Sequence, residues 1–213
     1  MSNAVPKQIP NYLESGLSRY LTADQLAAIQ RVKIGIGGAG GLGSNVAVIL
    51  TRSGFKHFEI IDRDTVEPSN LNRQDYAPAD IGLAKVDVLK KRILSLNPDA
   101  EVITHQAEWS PKNEESSFKN CDIIIEAFDR AEMKRDFVES YGKSGRMLVS
   151  GLGMAGISGN SVTSVKTLGN IYFVGDGATA IEDGHPPLAP RVVQCAAKMA
   201  DVILQSVLRP SAT

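Results

Sequence analysis

A β-rich run, Val32-Lys33-Ile34-Gly35-Ile36, leads into Gly38-Ala39-Gly40-Gly41-Leu42-Gly43, and apolar residues then recur at Leu42, Val46, Ile49 and Leu50. A buried strand that passes through a glycine turn straight into a helix is the opening unit of an open α/β sheet. The residue type follows from the geometry. The first glycine permits the tight turn, the second lets the backbone approach phosphate oxygens, and the third allows close helix–strand packing. The helix start then offers free N–H groups and the positive end of its dipole to an anion. A second strand, Phe58-Glu59-Ile60-Ile61-Asp62, ends in an acidic residue 19 positions after Gly43. That matches the spacing at which a carboxylate meets ribose hydroxyls. Nucleotide binding is the expectation, and at this point NAD and ATP both remain open.

The rest of the chain repeats the alternation. Val86, Leu89, Ile93 and Leu96 mark a helix stopped by Asn97-Pro98, and a strand follows near 101–105. Cys121 to Ala127 reads as a buried parallel strand, 130–142 as a charged helix, and Arg146 to Ser150 as a further strand. The fold class expected is α/β: a Rossmann-like, mostly parallel sheet with helices on both faces. Ser161–Lys166 and Ile171–Val174 flank the turn residues Leu168-Gly169-Asn170 and extend it as C-terminal antiparallel strands. One unit over 1–213 is expected, with a helical arm over 1–30, a crossing loop over 175–190 and a last helix over 190–208.

Composition narrows the function classes. The formal net charge is −1, without basic clusters, so neither a nucleic-acid nor a membrane surface is expected. Two cysteines, Cys121 and Cys195, lie in apolar stretches and read as reduced and buried, which suggests a soluble cytoplasmic protein. The three histidines, His57, His105 and His185, stand away from the glycine turn and read as structural or surface residues.

ATP is separated from NAD by the next segment. Asp62-Arg63-Asp64-Thr65-Val66-Glu67-Pro68-Ser69-Asn70-Leu71-Asn72-Arg73-Gln74 precedes Gly82-Leu83-Ala84-Lys85. A hydride-transfer site needs a flat slot with little positive charge, whereas adenylylation needs cations where charge builds on departing pyrophosphate. Arg73 and Lys85 are of the right type. Taken singly, Arg73 could be a solvated loop charge, Lys85 a helix-surface lysine, and Asp129 the N-cap of the helix after it.

Together these motifs, with Glu126-Ala127-Phe128-Asp129-Arg130, resemble the ThiF/MoeB/HesA branch of the E1-like adenylylating enzymes over roughly 15–208. The resemblance implies a nucleotide site of Gly38, Gly40, Gly41, Gly43, Asp62, Asp64, Ser69, Asn70, Arg73, Gln74 and Lys85. It implies Asp129 as the Mg²⁺ ligand and Arg73, Lys85 and Asp129 as catalytic groups. Arg19 would reach the partner subunit's nucleotide, so a homodimer is implied. The cofactors implied are ATP and Mg²⁺. The partner implied is a ubiquitin-like sulfur carrier ending in Gly-Gly, most like the ThiS carrier of thiamine biosynthesis. The paired C-x-x-C motifs of many relatives are missing here, so no structural zinc is expected. The crossing loop contains no cysteine for a covalent intermediate. The alternatives are a relative that activates another carboxylate, such as a tRNA-base dehydratase, an NAD-dependent oxidoreductase, or a dimerising scaffold without catalysis.

Overall fold

The computed structural model describes residues 10–112, 117–157, 163–179 and 184–209. Seven strands form one sheet in the order β3-β2-β1-β4-β5-β7-β6. They are β1 (Lys33–Gly37), β2 (His57–Ile61), β3 (Glu101–His105), β4 (Ile123–Glu126), β5 (Met147–Gly151), β6 (Ser164–Leu168) and β7 (Ile171–Gly175). All pairings are parallel except β6 with β7. The strand order reverses between β1 and β4, and the carboxyl ends on either side of that reversal form the crevice where such sheets bind ligands.

Burial explains the order. β4 is buried at every position and β1 at all but its first, as expected of central parallel strands covered on both faces. β6, with Lys166 and Thr167 among five mostly exposed residues, takes the edge, where polar side chains discourage further pairing. The helices are α1 (Tyr12–Leu17), α2 (Ala23–Arg31), α3 (Gly41–Arg52), α4 (Lys85–Leu96), α5 (Ala131–Tyr141) and α6 (Ala189–Leu208). On one face, α3 packs against α6, whose stripe Val192, Cys195, Ala196, Met199, Ala200 and Ile203 is buried at helical spacing. On the other, Trp109, Phe118, Phe137 and Tyr141 cover Ile61, Ile124 and Leu148, with the Trp109 and Phe137 rings 4.7 Å apart and edge-on.

Three expectations are adjusted. The arm is two helices, because Thr22 caps α2 through a reciprocal pair of bonds with Gln25 and so ends any continuous helix before it. The arm packs onto the sheet unit: Ile29 is fully buried in the main core, and Asn11 donates to Asn97 and Asp99 at 2.8 Å each. The C-terminal pair also differs in placement. The return strand β7 inserts beside β5 in parallel, and β6 lies outside it as Ser164–Leu168. Residues 161 and 162, expected to begin that strand, lie outside the described residues. α6 begins at Ala189 and the crossing segment starts after Gly175; residues 180–183 within it are likewise outside.

Candidate active site: a nucleotide cleft

A cleft of about 440 Å³ opens at the carboxyl ends of β1, β2, β4 and β5. Its floor is the glycine turn, and the four glycines differ in what they permit. Gly38 has φ +96°, and a Cβ there would lie 2.7 Å from the Ala127 carbonyl oxygen. A Cβ on Gly43 would lie 1.8 Å from the Gly38 carbonyl oxygen. Both are therefore required by the fold. Gly40 is different: the nearest atom to a Cβ is Gln74 Nε2 at 3.9 Å, so its bare backbone faces open cleft. Gly41 also lines the cleft, close to Arg73 and Val192. No side chain caps the start of α3, which leaves its first N–H groups to whatever occupies the cleft.

Asp62 follows β2 and is nearly buried. It accepts from the Ala39 N–H at 2.6 Å and the Asp64 N–H at 2.8 Å. Burial raises its pKa, partly opposed by those two bonds and by Lys85. The chain then leaves the sheet and returns. A bridge between Thr65 and Ala84, with the Val66 N–H bonded to the Leu83 carbonyl at 2.9 Å, closes 65–84 into a loop. That closure sets Lys85, the first residue of α4, beside Asp64, with Nζ 3.0 Å from Oδ2. Lys85 is only 6% exposed, so it is not a helix-surface lysine.

Arg73 lies on the cleft wall, its guanidinium donating to the Ser69 carbonyl at 2.9 Å and to Asn72 Oδ1 at 2.8 Å. It is thus an anchored side chain. Gln74, nearly buried, also lines the cleft, and its Oε1 has no hydrogen-bond partner among the described residues. Ser69 and Asn70 are not among the lining residues. Asn70 is buried, accepts the Glu67 N–H at 3.0 Å, and builds the short turn that carries Arg73.

Asp129 sits exposed on the rim between β4 and α5. The N-cap of α5 is Arg130, without a side-chain capping bond, so Asp129 is not the capping residue. Its carboxylate suits a hard cation that takes one protein oxygen and completes its shell with phosphate and water. Arg19 lies in the exposed turn after α1 and does not line its own chain's cleft. None of the three histidines lines it either. Cys121 and Cys195 are buried outside it, and burial pushes both thiols up to about 12.

Several lining residues were not singled out from sequence. Arg63 and Arg130 both bond Glu108 across the cleft mouth, the former at 2.8 Å, and Arg130 foremost holds that carboxyl below its usual range. Trp109 and Phe128 wall the side near Glu108. Lys134 of α5 and the segment Gly151–Ala155 after β5 close the far side. Arg63, Phe128 and Arg130 carried a signal, since they lie within the segments Asp62–Gln74 and Glu126–Arg130. The others come from elements whose ends meet only when the sheet forms.

A model of the ThiF family matches residues 15–207. The tRNA threonylcarbamoyladenosine dehydratase of Haemophilus influenzae is 32% identical over 160 residues, covering 73% of this chain and 61% of that enzyme. The adenylyltransferase and sulfurtransferase uba4 of Emericella nidulans is 34% identical over 123 residues, covering 57% of this chain and 26% of that protein. The chain therefore spans less than two thirds of either relative's length. Among solved structures, the Escherichia coli tRNA N6-threonylcarbamoyladenosine dehydratase in complex with AMP superposes with a TM-score of 0.81 at 22% identity, covering 91% of this chain and 93% of that one. That last likeness concerns the fold.

Proposed function

The chain belongs to the ThiF family, and we propose that it uses ATP to adenylylate a substrate carboxylate, releasing pyrophosphate. The observation that carries the proposal is the convergence of Gly40, Asp62, Arg73, Gln74, Lys85 and Asp129 on one cleft at the sheet's reversal point. Triphosphate would lie over the bare backbone at Gly40 and the start of α3, with the ribose toward Asp62. A carboxylate oxygen attacks the α-phosphorus, the bond from that phosphorus to the bridging oxygen of the β-phosphate breaks, and an acyl-adenylate and pyrophosphate result. The attacking group is already ionised at neutral pH, so no general base is needed and catalysis rests on alignment and charge. Arg73, held by its two anchoring bonds, and Lys85, turning from Asp64, would take up charge gathering on the leaving pyrophosphate. Mg²⁺ held at Asp129 would neutralise phosphate charge.

For the substrate, likeness to the tRNA threonylcarbamoyladenosine dehydratases, at 32% and 33% identity, supports a carboxylate on a modified tRNA base rather than a carrier tail. A Gly-Gly sulfur-carrier tail, with thiamine biosynthesis behind it, is the second reading. What favours it is charge, since a net charge of −1 gives the chain no overall attraction to an RNA backbone.

The experiment is ATP–pyrophosphate exchange with Mg²⁺, run with threonylcarbamoyladenosine-containing tRNA, with a Gly-Gly-ending carrier, and with neither. Exchange that depends on one acceptor and disappears in Asp129→Ala is the expected result, and the acceptor names the substrate class. Tight ATP binding without exchange under any of the three conditions would sink the adenylylation proposal.

A further inference from the structure

Beneath the cleft lies a buried carboxylate that the chemistry above does not use. Glu126 ends β4 after Ile123, Ile124 and Ile125 and is fully buried. Its Oε2 accepts from Lys134 Nζ at 2.5 Å and from the Ser150 hydroxyl at 2.6 Å, while Oε1 accepts the Phe128 N–H at 2.8 Å. Lys134 donates onward to the Gly151 carbonyl at 2.9 Å. One carboxylate thus ties together β4, β5, α5 and the turn that leads to Asp129.

Stability alone is a poor reason for such a pair. Apolar residues of similar volume commonly serve a core as well or better, because two charges must be stripped of water. What distinguishes this pair is its place. The turn above it rests on the end of β1 and the start of the glycine turn: the Ala127 N–H donates to the Gly37 carbonyl at 2.8 Å, and a Cβ on Gly38 would lie 2.7 Å from the Ala127 carbonyl oxygen. The Phe128 N–H, bonded to Glu126, comes immediately before Asp129 in the chain. A shift of the carboxylate therefore moves Asp129 against the phosphate-binding backbone.

We propose that Glu126 is a positioning residue that fixes Asp129 relative to the glycine turn and so sets how strongly a divalent cation joins bound nucleotide. The inference rests on the reading of Asp129 as the cation's carboxylate. Trp109 is the sole tryptophan and lines the cleft, so its fluorescence reports binding without turnover. ATP is titrated into the wild-type chain with and without Mg²⁺, and the ratio of the two affinities is the readout. In Glu126→Gln that ratio falls about tenfold, the scale of lost outer-shell support for a metal ligand, while metal-free affinity changes less than about twofold.

The double variant Glu126→Leu/Lys134→Met separates positioning from packing. It is expected to unfold at or above the wild-type temperature and still to lose the Mg²⁺-dependent gain. Retention of the gain in either variant, equal losses with and without Mg²⁺, or failure of the double variant to fold would each overturn the proposal. A wild-type chain with no Mg²⁺-dependent gain, or an Asp129→Asn chain that keeps it, would instead remove the reading of Asp129 itself.

Discussion

At the scale of single residues, the glycine turn holds two kinds of glycine that the fingerprint does not distinguish. Gly38 is fixed by the backbone: its φ of +96° and the carbonyl 2.7 Å from a would-be Cβ leave no room for a side chain. Gly38→Ala should destabilise the fold by roughly 1–3 kcal/mol or more, the usual cost of a strained left-handed residue. Gly40 has φ −79° and only open cleft above it. Gly40→Ala should therefore leave the urea midpoint within about 0.5 kcal/mol of wild type while weakening ATP binding, read from Trp109 fluorescence. The pair of measurements assigns one glycine to folding and the other to the ligand. Lys85 makes the complementary point. Its sequence position matches a surface lysine on a helix, but the loop closed between Thr65 and Ala84 buries it against Asp64. A charge that a helix pattern would place in water is instead held inside the cleft, and local sequence carries no sign of that burial.

At the scale of elements, the crossing segment is fastened at both ends by one residue. Asp176, just after β7, accepts from the backbone of Ala178 and Thr179 at 2.9 and 3.0 Å and bonds Arg191 in the first turn of α6. Burial alone would raise its pKa, but the bonds from Thr179, Ala178 and Arg191 outweigh it and hold the carboxyl at about 2. A carboxyl whose pKa is lower folded than unfolded contributes stability above its unfolded value of 3.8 and loses it as pH falls through about 2. Urea midpoints of wild type and Asp176→Asn should thus differ most at pH 5 and above, and converge toward pH 2. A gap that persists unchanged at low pH would mean the aspartate acts through shape alone. Asp176 and Arg191 stand 15 residues apart in sequence, and their meeting follows from β7 and α6 packing side by side.

At the scale of the whole molecule, the cleft of one chain lacks Arg19. The residue sits on the exposed turn between α1 and α2 and does not line its own chain's cleft. If a second copy receives it, complementation follows. Arg19→Ala and Asp129→Ala chains, each inactive in pyrophosphate exchange, should regain activity when mixed, because a mixed dimer restores one complete site. No recovery after mixing and subunit exchange would rule out a site shared in this way. Among the described residues no helix is long and apolar enough to cross a membrane.

What the sequence determined by itself was whatever depends on neighbours along the chain. Strand-to-helix alternation, the glycine turn, the carboxylate at the end of β2 and the segment from Asp62 to Lys85 are local patterns, and they carried the α/β sheet and the family. The ends of α5 and α6 came within a residue of expectation, because caps and prolines act locally, whereas the break between α1 and α2 was missed. The tertiary structure decided what depends on long-range closure. It inserted β7 between β5 and β6, divided the glycines between fold and ligand, and left Gln74 Oε1 buried without a partner among the described residues. It also brought Glu126, Lys134 and Ser150 into one buried cluster. Glu126 lies within a run that reads as a buried apolar strand, and its three donors come from β5, α5 and the following turn. Burial and hydrogen bonding are properties of surfaces that meet, and those surfaces exist only after the sheet has formed.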